Sequence, residues 1–161
     1  MQRRTLLQAG LTALAGPTAL TTATRALAQP QPLIEVWKDP NCGCCKDWMA
    51  HLQANGFAVK AHDVGNTAAR RRLGLPDRYG SCHTATVGGY VVEGHVPAAD
   101  IQRLLRERPK ALGLSVPRMP IGSPGMDGPE YGGRKDPYDV LLVTKSLMGS
   151  NVSTRVYTSY R

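Results

Sequence analysis

The sequence predicts an α/β fold, and three observations predict it. Short runs of branched and aromatic residues alternate with stretches whose apolar residues recur at helical spacing. Proline and glycine punctuate the boundaries between them. A cysteine cluster, DPNCGCCKDW at residues 39–48, falls where the first strand gives way to the first helix.

Leu33-Ile34-Glu35-Val36-Trp37 reads as the first strand, broken by Asp39-Pro40-Asn41. Asn41 is suited to cap a helix from about Gly43, on which Cys45, Met49 and Leu52 share a face beside Trp48. Asn55-Gly56 ends it, and Phe57 to Val64 forms the second strand. Asn66 can cap a short helix through Ala68, Ala69 and Leu73 that stops before Pro76. A hairpin follows, Thr84–Val87 and Tyr90–Glu93 about the turn Gly88-Gly89. Pro97 opens a helix with the apolar stripe Ile101, Leu104 and Leu105, bounded by Pro109. The order is βαβαββα, that of the thioredoxin fold.

Residues 109–137, counted with Pro109 and Pro137, hold six prolines and six glycines, including PRMPIGSPGMDG. This composition predicts a long Pro/Gly/Met loop with no regular element. Strand patterning returns at residues 138–143 and 154–160, read as a C-terminal β-hairpin added to the first sheet.

The N-terminus carries Arg3 and Arg4, an apolar stretch from Leu6 to about Ala23, and Ala26-Leu27-Ala28. A basic region, an apolar region and an A-x-A site make a secretory signal, and the paired arginines resemble the twin-arginine type. The apolar run is too short and interrupted for a membrane span. Cleavage after Ala28 is expected, leaving residues 29–161 as one domain of 133 residues in the periplasm, with no membrane insertion. Loss of Arg3, Arg4 and Arg25 leaves 17 basic residues against 12 acidic ones, a net charge of +5. Arg70-Arg71-Arg72 has no aromatic interleaving, so it reads as a solvated helix face and not as a nucleic-acid contact.

Cys42, Cys44 and Cys45 sit at the helix start, where backbone N–H groups and the dipole favour thiolate. Cys42 and Cys45 have the C-x-x-C spacing of a redox pair, and Cys44 is in excess. Cys82 is the fourth cysteine. In a thioredoxin-like topology the segment before the third strand faces the C-x-x-C, and there Ser81-Cys82-His83 stands where a cis-proline is usual. Four cysteines in a secreted chain of this size also admit two disulfides. A convergence of four sulfurs and one imidazole is what a metal asks for. Zinc accepts such a set. Copper is favoured, because Cu(I) prefers thiolate and thioether, and Met119 and Met126 bracket IGSPG in the aperiodic loop.

DPNCGCCKDW, YGSCHTA, VVEGHVPAADI and PRMPIGSPGM followed by PYDVLLV resemble the periplasmic CopG-type copper-resistance family, which is distinct from the ribbon–helix–helix regulator of that name. The resemblance spans nearly the whole chain after residue 28. It implies a thioredoxin-like fold and copper held at the C-x-C-C and C-H motifs, as a multinuclear cluster in some members. It places Cys42, Cys44, Cys45 and Cys82 at the metal, with His83 next, and makes Cys44 a bridging thiolate.

The expected function is periplasmic copper binding in copper resistance, with interconversion of Cu(I) and Cu(II) as its extension and another periplasmic copper or redox protein as electron partner. The alternative is a thiol–disulfide oxidoreductase using Cys42 and Cys45. A disulfide-stapled or zinc-held binding module is weaker still. His51 reads as a surface residue, His62 has no visible partner, and His95, before a helix N-terminus, reads as structural, with an approach to the site as the alternative. Met49 and Met148 read as core. KSLMGSNVSTRVYTSYR, residues 145–161, lacks the short turn a final hairpin would have.

Overall fold

A computed structural model describes residues 30–145 and 151–161. The export signal expected at residues 1–28, and residues 146–150 with Met148, lie outside the described residues. The elements are β1 Leu33–Lys38, α1 Gly43–Ala54, β2 Ala58–His62, α2 Thr67–Leu73, β3 His83–Val87, β4 Tyr90–Glu93, α3 Ala98–Glu107, β5 Gly113–Ser115, β6 Tyr138–Lys145 and β7 Val152–Tyr160. Single 3₁₀ turns occupy Asp77–Tyr79 and Pro129–Tyr131.

The seven strands among the described residues form one sheet in the order β2-β1-β3-β4-β5-β6-β7. β1 is parallel to β2 and antiparallel to β3, and β4 is parallel to β5. The remaining pairs are antiparallel. Gly88 and Gly89 both have positive φ, +55° and +86°, which suits the tight turn between β3 and β4.

Alternation along the strands divides the core between two faces. Ile34, Val36, Val92 and Leu142 pack with Trp48 and Leu52 of α1 and Ile101 and Leu104 of α3. Val91 and Val143, one residue out of phase, pack with Leu75 and Leu112 and with Leu73 of α2. Burying Ile101 and Leu104 contributes about 1.5–3 kcal/mol each relative to exposure. No helix among the described residues is long and apolar enough to cross a membrane.

Three expectations need correction. The Pro/Gly/Met stretch does contain a regular element: β5, between Pro109 and Pro117, is buried throughout and joins β4 to the terminal hairpin. Its few residues lie between prolines, too short a run for periodicity to register. Asn41 is not the cap of α1; Cys42 holds that position, and Asn41 donates its N–H to Asp39 Oδ1 at 2.8 Å. The arginine run is not a uniformly solvated face, since the Arg70 side chain is 11% exposed and Arg71 71%.

Candidate metal centre

Two junctions of the sheet bring the cysteines together. Where β1 ends, the Cys42 N–H donates to Asp39 O at 3.1 Å, closing a turn that delivers Cys42 to the start of α1 and Cys44 and Cys45 to its first turn. Beside it, Lys38 of β1 pairs with His83 of β3, so the residue before β3, Cys82, abuts that turn. The β3–β4 ladder runs through Thr84 opposite Glu93, and the Gly94 N–H donates to His83 O at 3.1 Å. One step further, Cys82 faces His95.

Cys42 and Cys45 are joined in a disulfide, and Cys44 and Cys82 are free thiols. Cys44 Sγ lies 3.6 Å from Cys42 Sγ and 3.9 Å from Cys82 Sγ. All four Sγ atoms fall within 4.8 Å of one another.

Two imidazoles complete the arrangement. His83, fully buried, is tied through Nε2 to Gly94 O at 2.9 Å, which makes Nε2–H the donor and leaves the Nδ1 lone pair 3.3 Å from Cys82 Sγ. His95, also fully buried, gives its Nδ1–H to Pro124 O at 2.8 Å and turns Nε2 to within 3.1 Å of the same sulfur. Each ring has one nitrogen committed to a backbone carbonyl and the other aimed at Cys82, the orientation that second-shell carbonyls impose on ligating histidines. Cys82, His83 and His95 thus make a second potential ligand group sharing the Cys82 sulfur. Of the two readings of His95, the geometry favours the approach to the site: its Nε2 stands beside Cys82.

Two solved structures named "Copper resistance protein copG", Form 2 and Form 1, are each 47% identical to the chain with a TM-score of 0.71. Form 2 covers 81% of this chain and 99% of its own; for Form 1 the shares are 82% and 98%. The chain belongs to the CopG copper-resistance family. The family described as "Protein of unknown function, DUF411" matches residues 79–126 of this CopG-family chain, a span that holds Cys82, His83, His95, Met119 and Met126. No curated protein matches it.

Burial sets the protonation of the CopG-family site. It presses the His83 imidazole down to about 3, helped by the neighbouring His95, and lowers His95 as well. Both rings are therefore neutral at pH 7, the form that binds a metal. Burial pushes the Cys82 thiol up to about 12, with Cys44 next in influence. A metal ion at this sulfur must displace its proton.

The signs give a pH prediction for the metal-free protein. A histidine depressed in the folded state lends stability that is complete above its unfolded value and is lost as pH falls toward the folded value. For His83 the window runs from 6.5 down to about 3. The loss by pH 5 is about 2 kcal/mol from this residue alone. A thiol raised in the folded state acts oppositely, so Cys82 lends stability below 9 that drains away as pH climbs toward about 12. Thermal melting should show a plateau between about pH 7 and 9 with a decline on each side. A melting temperature unchanged from pH 7 to 5 contradicts the assignment of His83.

The Pro/Gly/Met loop of this CopG-family protein lies against the cysteine helix. A Cβ on Gly125 would come 2.6 Å from Cys44 O and 2.7 Å from Trp48 N, so only glycine permits that approach. The contact sets Pro124 O on His95. Met126 is buried, and its Sδ accepts the Tyr131 O–H at 3.3 Å. Met119 is 48% exposed and follows Arg118, whose carbonyl accepts the Ser81 O–H beside Cys82.

The other histidines have structural partners. His51 is half-buried, not a plain surface residue: its Nε2 accepts the Ala98 N–H at 3.1 Å, a tie from α1 to the start of α3. His62 pairs with Glu35 at 2.9 Å and stacks on Trp37. Met49 packs at the margin of the main core.

Proposed function

We propose that this protein binds copper in the periplasm at Cys42, Cys44, Cys45, Cys82, His83 and His95, with thioether support from at least one of Met119 and Met126. The single observation that carries the reading is the convergence of four sulfurs within 4.8 Å with two neutral imidazoles turned toward one of them. Thiolate and imidazole suit copper, and a third helix-start sulfur suits several ions sharing bridging thiolates. The names of the two similar structures place copper resistance in the family. Support for a thioredoxin-like core comes from the sheet order β2-β1-β3-β4 with a C-x-x-C opening α1. Export rests on the twin-arginine pattern at Arg3 and Arg4. Its test is cell fractionation with N-terminal sequencing, and protein retained in the cytoplasm with residues 1–28 intact would sink it.

The Cys42–Cys45 disulfide favours a second, compatible reading, a copper or thiol oxidoreductase. Reduction takes two electrons and two protons and yields two thiols, completing the four-thiol set. Two Cu(I) oxidised to two Cu(II) supply those electrons, and two thiolates reducing two Cu(II) return them. Cys44→Ser separates the readings. A pure C-x-x-C oxidoreductase keeps its disulfide exchange without Cys44, and its copper content does not depend on that residue. The copper reading predicts that protein matured in copper-fed cells carries copper through desalting and that Cys44→Ser loses it. Copper retained in full by the variant, with exchange also intact, contradicts the bridging role.

A further inference from the structure

A buried polar network under the Cys82 segment has no part in the site as described so far. Glu93 of β4 is fully buried. Its Oε1 accepts the Ser81 backbone N–H at 2.7 Å and Arg70 Nη1 at 3.0 Å, and its Oε2 accepts the Thr84 O–H at 2.6 Å. The Ser81 carbonyl is held as well, by Asn66 Nδ2 at 3.0 Å and Arg70 Nη1 at 3.3 Å. Asp77 anchors Arg70 from outside through Nε at 3.2 Å. Both backbone polar groups of the residue before Cys82 are thus bound by side chains from α2 and β4, not by a neighbouring strand. Asn66 stands at the N-cap of α2 yet makes no side-chain cap bond there; its amide is committed to the Cys82 segment.

Two physical points argue that the network acts on Cys82. A buried ion pair adds little net stability over apolar side chains of similar size, so stability alone is a weak reason for it. Here the pair also fixes a peptide that has no proline to stiffen it, one residue from a sulfur whose usefulness depends on distances of 3.1–3.9 Å to three partners.

We infer that Glu93 and Arg70, with Asn66, are positioning residues that hold the Cys82 thiol at the centre of the site. The inference rests on the copper reading for its purpose, but its geometry can be tested without copper. The double variant Glu93→Leu/Arg70→Met replaces the pair with apolar groups and removes the acceptor for the Ser81 N–H. In the disulfide form, timed iodoacetamide labelling followed by trypsin reports Cys44 on the peptide Asp39–Lys46 and Cys82 on the peptide Tyr79–Arg103. The expected result is a severalfold faster labelling of Cys82 with Cys44 unchanged. Glu93→Gln, which keeps an acceptor for the Ser81 N–H, should label like the parent. With the disulfide reduced, Cu(I) titration of the double variant should show a loss of affinity of roughly tenfold or more.

A folded double variant whose Cys82 labels at the parental rate overturns the proposal, as does one in which Cys44 accelerates equally. Should the double variant not fold, Asn66→Ala removes one bond from the Ser81 carbonyl, and parental Cys82 labelling there overturns it equally. A parent that takes up no Cu(I) overturns the copper reading and leaves the labelling comparison to decide the clamp.

Discussion

Replacing Cys82 with serine takes the copper content of the protein to background and weakens Cu(I) binding by more than about 100-fold, while the fold survives. Cys82 is the one residue common to the four-sulfur group and to the group with His83 and His95. Its loss therefore strikes both. A serine hydroxyl is a hard donor that stays protonated at neutral pH, so it does not replace thiolate for a soft ion. It does remain a hydrogen-bond partner for His83 Nδ1 or His95 Nε2, which keeps the buried imidazoles satisfied and limits the structural cost. Copper analysis after desalting, read beside a melting curve, checks the prediction. A folded Cys82→Ser protein with parental copper content places the metal elsewhere.

Substituting Gly125 with alanine produces a large structural loss from one methyl group near the site. Gly125 has φ +82°, and the added Cβ would meet two backbone atoms of α1 at 2.6 and 2.7 Å. Left-handed backbone costs an L-residue about 1–2 kcal/mol, and overpacking adds about 1–3 kcal/mol, so about 2–5 kcal/mol is at stake. That is a large part of the stability of a small domain. The melting temperature should fall by roughly 10 °C or more. The loop must lift from the helix to relieve the clash, which withdraws Pro124 O from His95 and lowers copper affinity on the order of tenfold. Gly132→Ala serves as the comparison, because Gly132 shares a positive φ of +61° but has nothing within 4 Å of the added Cβ. It should cost only about 1–2 kcal/mol. Equal losses at the two positions would falsify the packing of the loop on α1.

Much of the architecture could be read from local signals, because strand, turn and helix residues agree at each junction from β1 to α3. The sulfur cluster could be read for the same reason, since C-x-C-C lies at a strand–helix junction and Cys82 immediately before a strand. His95 could have been placed by the hairpin alone. With Gly88-Gly89 as a two-residue turn, pairing Val87 with Tyr90 and counting outward sets Cys82 opposite His95. Its position before a helix favours a structural role over an approach to the site, and the register decides for the approach. Arg70 could not be found this way. Its neighbours Arg71 and Arg72 give the run the look of a solvated face, and only the tertiary approach of β4 reveals the carboxylate that draws one of the three inward. β5 was hidden because three buried residues between prolines carry too little pattern to separate a strand from a loop. The left-handed Gly125 was likewise one glycine among six, distinguished only by what it touches.

The central claim is that the helix-start cysteines, Cys82 and the two imidazoles form one copper site. The most direct measurement is a structure of the reduced, copper-loaded protein with anomalous scattering recorded at the copper edge. The account predicts anomalous peaks bonded to the Sγ atoms of Cys42, Cys44, Cys45 and Cys82, with His83 Nδ1 or His95 Nε2 in the coordination sphere and the sulfur of at least one of Met119 and Met126 joining them. Copper peaks remote from Cys82, or a fully reduced protein that takes up no copper, would contradict it.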